Sequence, residues 1–158
     1  MGIEAYKVCS YEESGVGFEA LAAAVERLEK LLPDGGSFTQ KGVDVRVYTE
    51  KIIRLGFVDL VLAPDGEIVG ICVHYANDRE TFIAHATLLV LQPEVTAKAL
   101  IFIRRGIRNA KALGMREFRS NVLKSNTQAI RLYERVGFVI CGEIGEKFEM
   151  CKDLMPSC

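Results

Sequence analysis

Of the side chains in the 158-residue chain suited by type to moving protons, two stand out by position, Tyr133 and His85. A phenol, with an ordinary pKa near ~10, gives up its proton to a group that becomes basic as a bond breaks. An imidazole titrates near neutral pH and can receive one. Tyr133 stands in "NTQAIRLYERVGF" and His85 in "TFIAHATLLVL", where alternation puts it on the face of Ile83, Thr87 and Leu89. Glu80 acting through water is a rival base, whereas Asn121, an amide, cannot accept a proton at neutral pH. Lys98, Arg104 and Arg105 are neighbouring cations at the start of a later segment. Arg104, Arg108 and Lys111 recur at helical spacing, so they also read as a solvated helix face. The five cysteines, Cys9, Cys72, Cys141, Cys151 and Cys158, are scattered without C-x-x-C spacing. They read as buried reduced thiols, with neither a metal site nor a disulfide framework expected. No Ser/His/Asp arrangement is legible.

These groups need elements to hold them. Asn126 reads as an N-cap, and Ala129, Leu132 and Val136, flanked by Ile130 and Tyr133, give the following helix an apolar face. Gly137 supplies the left-handed residue that ends it, and Phe138–Cys141 reads as a buried strand. Residues 81–91 form a long, nearly wholly apolar strand, expected at the centre of a sheet and covered on both faces, which Pro93 ends. Ala99, Ile103, Ile107 and Ala110 predict a helix from about Val95 to Leu113, stopped by Gly114. "REFRSNVL" is the next strand, and two more close the chain around Gly145. Upstream, Phe18, Leu21, Val25, Leu28 and Leu32 mark an amphipathic helix that stops before Pro33-Asp34-Gly35-Gly36. "YTEKIIRLG" is a short second helix, and "FVDLVLA" and "IVGICVHYA" flank Pro64-Asp65-Gly66-Glu67 as a hairpin.

A chain of this length suits one domain spanning 1–158, able to bury roughly two thirds of its unfolded surface. A net charge of −1 with interspersed signs gives no reason to expect nucleic acid or an anionic membrane as partner. Its apolar runs are too short to span a bilayer and "MGIEAYKVC" lacks a signal-peptide core, so a cytoplasmic location is expected.

The order Asn126, Ala129, Leu132-Tyr133-Glu134, Gly137-Phe138 resembles the C-terminal signature N-x-x-A-x-x-L-Y-E-x-x-G-F of the GNAT N-acetyltransferase superfamily. The resemblance implies an α/β fold with a mixed, mainly antiparallel central sheet flanked by helices on both faces. It implies acetyl-CoA as cosubstrate and transfer of the acetyl group to a primary amine of a small molecule or peptide. In that family the strand before the long helix splays from its neighbour and binds the pantetheine arm, here at Leu89, Val90 and Leu91, with Asn126 contacting the arm as well. A backbone N–H of that strand would serve as oxyanion donor. The following turn cradles the pyrophosphate, here along Thr96, Ala97, Lys98, Ala99, Leu100 and Ile101. Tyr133 occupies the position whose phenol protonates the coenzyme sulfur, and His85 is the candidate base; Asn121 stands where one branch of the family carries a Glu. The chain departs from the family at the turn. Ala99 replaces its first glycine, Ile101 its small second residue, and Thr96 its usual Arg or Gln. A branched side chain at Ile101 could fill space meant for phosphates. The alternative is therefore a catalytically degenerate module of the same fold that binds a ligand or protein partner. A third alternative is a purely interacting subunit that pairs through the sheet edge or the closing hairpin, and a homodimer is a further expectation.

Overall fold

Period-two alternation and its breakers resolve into seven strands among the described residues: β1 (Lys7–Ser10), β2 (Phe57–Leu62), β3 (Ile68–Tyr75), β4 (Ile83–Leu91), β5 (Glu117–Leu123), β6 (Val139–Ile144) and β7 (Lys147–Asp153). Five α-helices accompany them: α1 (Tyr11–Ser14), α2 (Phe18–Leu28), α3 (Val45–Leu55), α4 (Ala99–Ala112) and α5 (Thr127–Arg135). The structure is a computed structural model that describes residues 2, 5–32, 38–39 and 41–155. The predicted turn Pro33–Gly36 and Cys158 lie outside the described residues. The sheet order is β1-β2-β3-β4-β5-β7-β6, so β4 stands at its centre. β4 and β5 pair in parallel, while β1/β2, β5/β7 and β6/β7 pair antiparallel. No helix among the described residues is long and apolar enough to cross a membrane. Contacts divide the chain into two units, Met1–Val73 with Leu88–Ala99, and His74–Thr87 with Leu100–Cys158.

In the first unit, α2 buries Leu21, Ala22, Ala24, Val25 and Leu28, then tightens into a 3₁₀ turn over Glu29–Leu31. The second helix starts three residues earlier than predicted because Asp44 caps it, accepting from the N–H groups of Arg46 and Val47. The hairpin β2–β3 forms as predicted, with the Ala63 N–H donating to the Glu67 carbonyl at 2.8 Å. In β3, Ile68 to Val73 are all buried. A Cβ at Gly70 would stand 2.9 Å from Leu91 Cδ2 and 3.1 Å from Val61 Cγ2, so only glycine lets these side chains close over the strand. The thiols of Cys9 and Cys72 are buried, and burial pushes that of Cys72 far above the ordinary thiol range.

In the second unit, α4 buries Phe102, Ile103 and Ala110, and Gly106 leaves room for the Phe118 ring of β5. Gly114, at φ +79°, ends α4 as expected. Three expectations are corrected. The helix predicted from about Val95 is interrupted: Pro93–Lys98 is a 3₁₀ turn in which Val95 has φ −121° and ψ 18°, and α-geometry starts at Ala99. The strand expected over Phe138–Cys141 is not buried beyond Phe138, which precedes it: β6 lies at one edge of the sheet beside β7, and Val139, Ile140 and Ile144 are exposed. Finally, Cys141 and Cys151 are joined as a disulfide rather than being reduced thiols. The register slips between Ile140 and Gly142, and this irregularity at Cys141 sets its Cα 6.0 Å from that of Cys151 across the hairpin.

Candidate active site

Helix α5 is fixed at both ends by the residues the sequence marks. The Asn126 side chain accepts from the Ala129 N–H at 3.1 Å. At the other end Gly137 has φ +98°, which lets the Phe138 N–H reach back to the Tyr133 carbonyl at 3.1 Å. Phe138 is thereby folded under the helix, its ring edge-on to Tyr133 at 5.0 Å and to Phe118 at 5.9 Å. Tyr133 is 4% exposed, and its phenol oxygen accepts from Ser120 Oγ at 3.1 Å. Sequence reasoning missed Ser120. The available signal was a hydroxyl between Phe118 and Val122 on one face of a strand, since a buried hydroxyl in apolar company needs a partner.

Ser120 occupies a particular place in the sheet. The parallel ladder of β4 and β5 runs from Ile83↔Glu117 to Ala86↔Ser120 and ends there, while β5 continues to Leu123 along β7. Thr87 and Asn121, the next residue on each strand, are both exposed. The phenol of Tyr133 is thus held at the last rung of the parallel pair.

His85 lies one rung earlier, opposite Arg119. Because side chains alternate, His85 and Arg119 face the side of the sheet opposite to Ser120 and Tyr133. His85 is exposed, and the Asp78 carboxyl has a lowered pKa. The main cause there is Thr81, whose Oγ1 and N–H donate to Asp78 at 2.7 and 3.1 Å and hold its carboxyl below the ordinary range. On the same face Arg119 binds Glu117 at 2.8 Å and approaches Glu149 at 3.6 Å; the Glu117 hydrogen bond raises the guanidinium pKa. The buried imidazole is a different one: His74 Nε2 stands 2.9 Å from Asn109 Nδ2 beneath α4.

The residues implied for coenzyme binding form a continuous run in the first unit. Val90 is buried, Leu89 and Leu91 are half-buried, and the Gln92 N–H ties the end of β4 to the Val69 carbonyl at 2.9 Å. In the 3₁₀ turn Thr96 and Ala97 are exposed and Lys98 half-buried. Ala99 is buried at φ −57° and ψ −39°, ordinary right-handed geometry that carries a Cβ without strain. Its N–H already donates to the Thr96 carbonyl. In the second unit, Leu100 is half-buried and Ile101 is 40% exposed in the first turn of α4. The structure therefore joins Tyr133 with Ser120, puts Asn126 at the far end of the same helix, and sets His85 on the other face.

No protein-family model matches the chain, and no curated protein matches it in sequence. Solved structures match it along nearly its whole length. A chimera of the spermidine N-acetyltransferase SpeG from Vibrio cholerae and hSSAT is 15% identical with a TM-score of 0.71, covering 95% of this chain and 96% of that one. YncA from Salmonella typhimurium, solved with its cofactor acetyl-CoA, is 14% identical with a TM-score of 0.72, at 97% and 96% coverage. A GNAT-family acetyltransferase from Streptococcus pneumoniae is 21% identical with a TM-score of 0.66, at 94% and 99% coverage. At such identities the likeness is one of fold. The chain has the GNAT acetyltransferase fold, with the mixed, mainly antiparallel sheet the sequence implies.

Proposed function

We propose that the protein is an acetyl-CoA-dependent N-acetyltransferase acting on a primary amine, with Tyr133 as the acid that protonates the leaving thiolate. The observation that carries this reading is the placement of the Tyr133 phenol on Ser120 at the end of the β4–β5 ladder. A tyrosine serving only to fill the core does not need its hydroxyl at the point where two strands stop pairing. The coenzyme supplies a thioester, whose carbonyl carbon is the electrophile. As the amine nitrogen bonds to that carbon the C–S bond breaks, and the departing sulfur takes the phenol proton. Ser120 Oγ–H, already donating to the phenol oxygen, supports the negative charge left there.

The chain's own residues fit the coenzyme in part. Leu89, Val90 and Leu91 would hold the pantetheine arm together with Asn126, and Thr96 to Ile101 the phosphates. With Ala99 in unstrained helical geometry, its methyl group is no obstacle; with its N–H engaged by Thr96, that amide is not available for a phosphate. Lys98 then supplies charge where the family relies on a glycine-rich backbone. His85, on the opposite face, remains the candidate base for the amine.

The test is calorimetry with acetyl-CoA and desulfo-coenzyme A, followed by thiol release over polyamines, aminoglycosides, amino acids and peptide N-termini. Saturable binding with thiol release on at least one amine is the expected result. Absence of coenzyme binding by the folded protein would transfer the site to the degenerate-module reading.

A further inference from the structure

The cations along α4 are exposed, as on a solvated helix face, and they also border a cleft. Arg104, Arg108 and Lys111, with Ile107 between them, form one wall of a cleft of about 580 Å³ whose other wall is Arg135, Val136 and Gly137 at the end of α5, with Lys152 of β7. Five of the chain's 20 Lys and Arg residues line it, and no acidic residue does. Among the described residues none of the five takes part in an ion pair. Helix polarity accounts for only part of this. Lys111 and Arg135 sit in last turns, where cations complement free carbonyls, but Arg104 and Arg108 lie well before the end of α4. Like charges four apart, as at Arg104 and Arg108, weaken a helix slightly and need some other reason to persist. Lys152 is also drawn inward, its Nζ standing 2.7 Å from where a Cβ on Gly137 would be.

Of the cleft's cations only Arg104 is also among those suited to the coenzyme phosphates: at ~1.5 Å per residue it stands about 4.5 Å along the axis of α4 from Ile101, whereas Lys111 stands about 15 Å from it. The cleft's volume falls within the range of about 300–1,000 Å³ typical of small-ligand sites. Up to five positive charges match an anion of about four negative charges, and three guanidiniums suit the forked geometry of phosphate oxygens. Ile107 and Val136 add apolar surface for an organic group. We infer that this cleft is a second ligand site, taking a small triphosphate-bearing anion, with a nucleoside triphosphate favoured over inorganic triphosphate by the apolar surface.

Titration of the full chain with ATP and with tripolyphosphate, at low and at physiological salt, tests this. Both should bind saturably, ATP the tighter, and both should weaken as salt screens the cations. Replacing Arg108, Lys111 and Arg135, all exposed, by glutamine should weaken both at least about 10-fold while circular dichroism and the thermal midpoint stay near wild type. Should that triple variant fold poorly, Arg135→Gln alone should still weaken both ligands measurably. Coenzyme A should not displace ATP. No saturable binding by wild type, unchanged affinity in the folded variants, displacement by coenzyme A, or tighter binding of a short oligonucleotide than of either triphosphate would overturn the assignment.

Discussion

Tyr133→Phe removes one oxygen from the structure, and its consequences divide into two separately measurable parts. The ring and its 5.0 Å edge contact with Phe138 persist, so packing changes little. Ser120 Oγ loses its acceptor in a buried place, which costs about 1–2 kcal/mol. For a chain of this size that lowers the thermal midpoint by about 2–8 °C, readable by calorimetry. If the phenol is the acid, the chemical step also slows by about 10²- to 10⁴-fold, equivalent to about 3–5 kcal/mol of transition-state stabilisation. Coenzyme affinity should change little, placing the loss in kcat. Ser120→Ala serves as the comparison, because it breaks the same hydrogen bond but keeps the phenol. It should lower stability by a similar amount and turnover far less. A folded Tyr133→Phe variant that turns over at the wild-type rate would refute the acid role, and equal rate losses in the two variants would assign the effect to positioning.

Three further outcomes follow from the same geometry. Reducing the Cys141–Cys151 bond, which closes a loop with a sequence separation of 10, should destabilise the protein by up to about 3 kcal/mol; a thermal midpoint indifferent to reductant would show that the bond is absent in solution. Ala99→Gly should cost about 1 kcal/mol without tightening coenzyme binding, because Ala99 is already helical and unstrained; tighter binding by calorimetry would restore the steric argument against that methyl group. Asp78 has a lowered folded-state pKa, so its stabilising contribution is present above the unfolded value near ~3.9 and is lost as pH falls through the folded value. Asp78→Asn should therefore lower stability near neutral pH and flatten the acid limb below about pH 4 in a denaturant series; an unchanged acid limb would contradict this.

What the sequence makes legible here is local backbone chemistry. Gly137 at φ +98°, Gly114 at φ +79°, the Asn126 cap and the Ala63–Glu67 hairpin each follow from one residue's own conformational options, and each is where the sequence puts it. One failure is local, and the others depend on neighbours distant in sequence. Val95 reads as helical in the pattern Ala99, Ile103, Ile107, yet Pro93 opens a 3₁₀ turn and the kink falls at Val95. Phe138 to Cys141 is apolar enough for a core strand, yet only Phe138 is buried, and the sheet order puts β6, from Val139, at an edge. The disulfide depends on a one-residue slip in the β6/β7 register, which no spacing rule reports. Ser120 is a similar case: its role exists only once α5 has laid Tyr133 across β5.

The two proton-handling candidates occupy opposite faces of the sheet, and this constrains any reaction they share. An amine approaching a thioester and the thiolate leaving it lie on different sides of the tetrahedral carbon. An acid and a base on opposite faces can therefore serve one reaction only where the reacting atoms pass between strands. From Ile83 to Ala86 the parallel ladder is paired rung by rung. The first residues beyond it, Thr87 and Asn121, are exposed. Tyr133 reaches that point through Ser120, whereas His85 is one rung behind it and exposed. On the proposed function, the phenol would have to protonate its leaving group at that point, beside Ser120. His85, one rung back and on the far face, could then serve the incoming amine only through water, so its role stands or falls with the proposal.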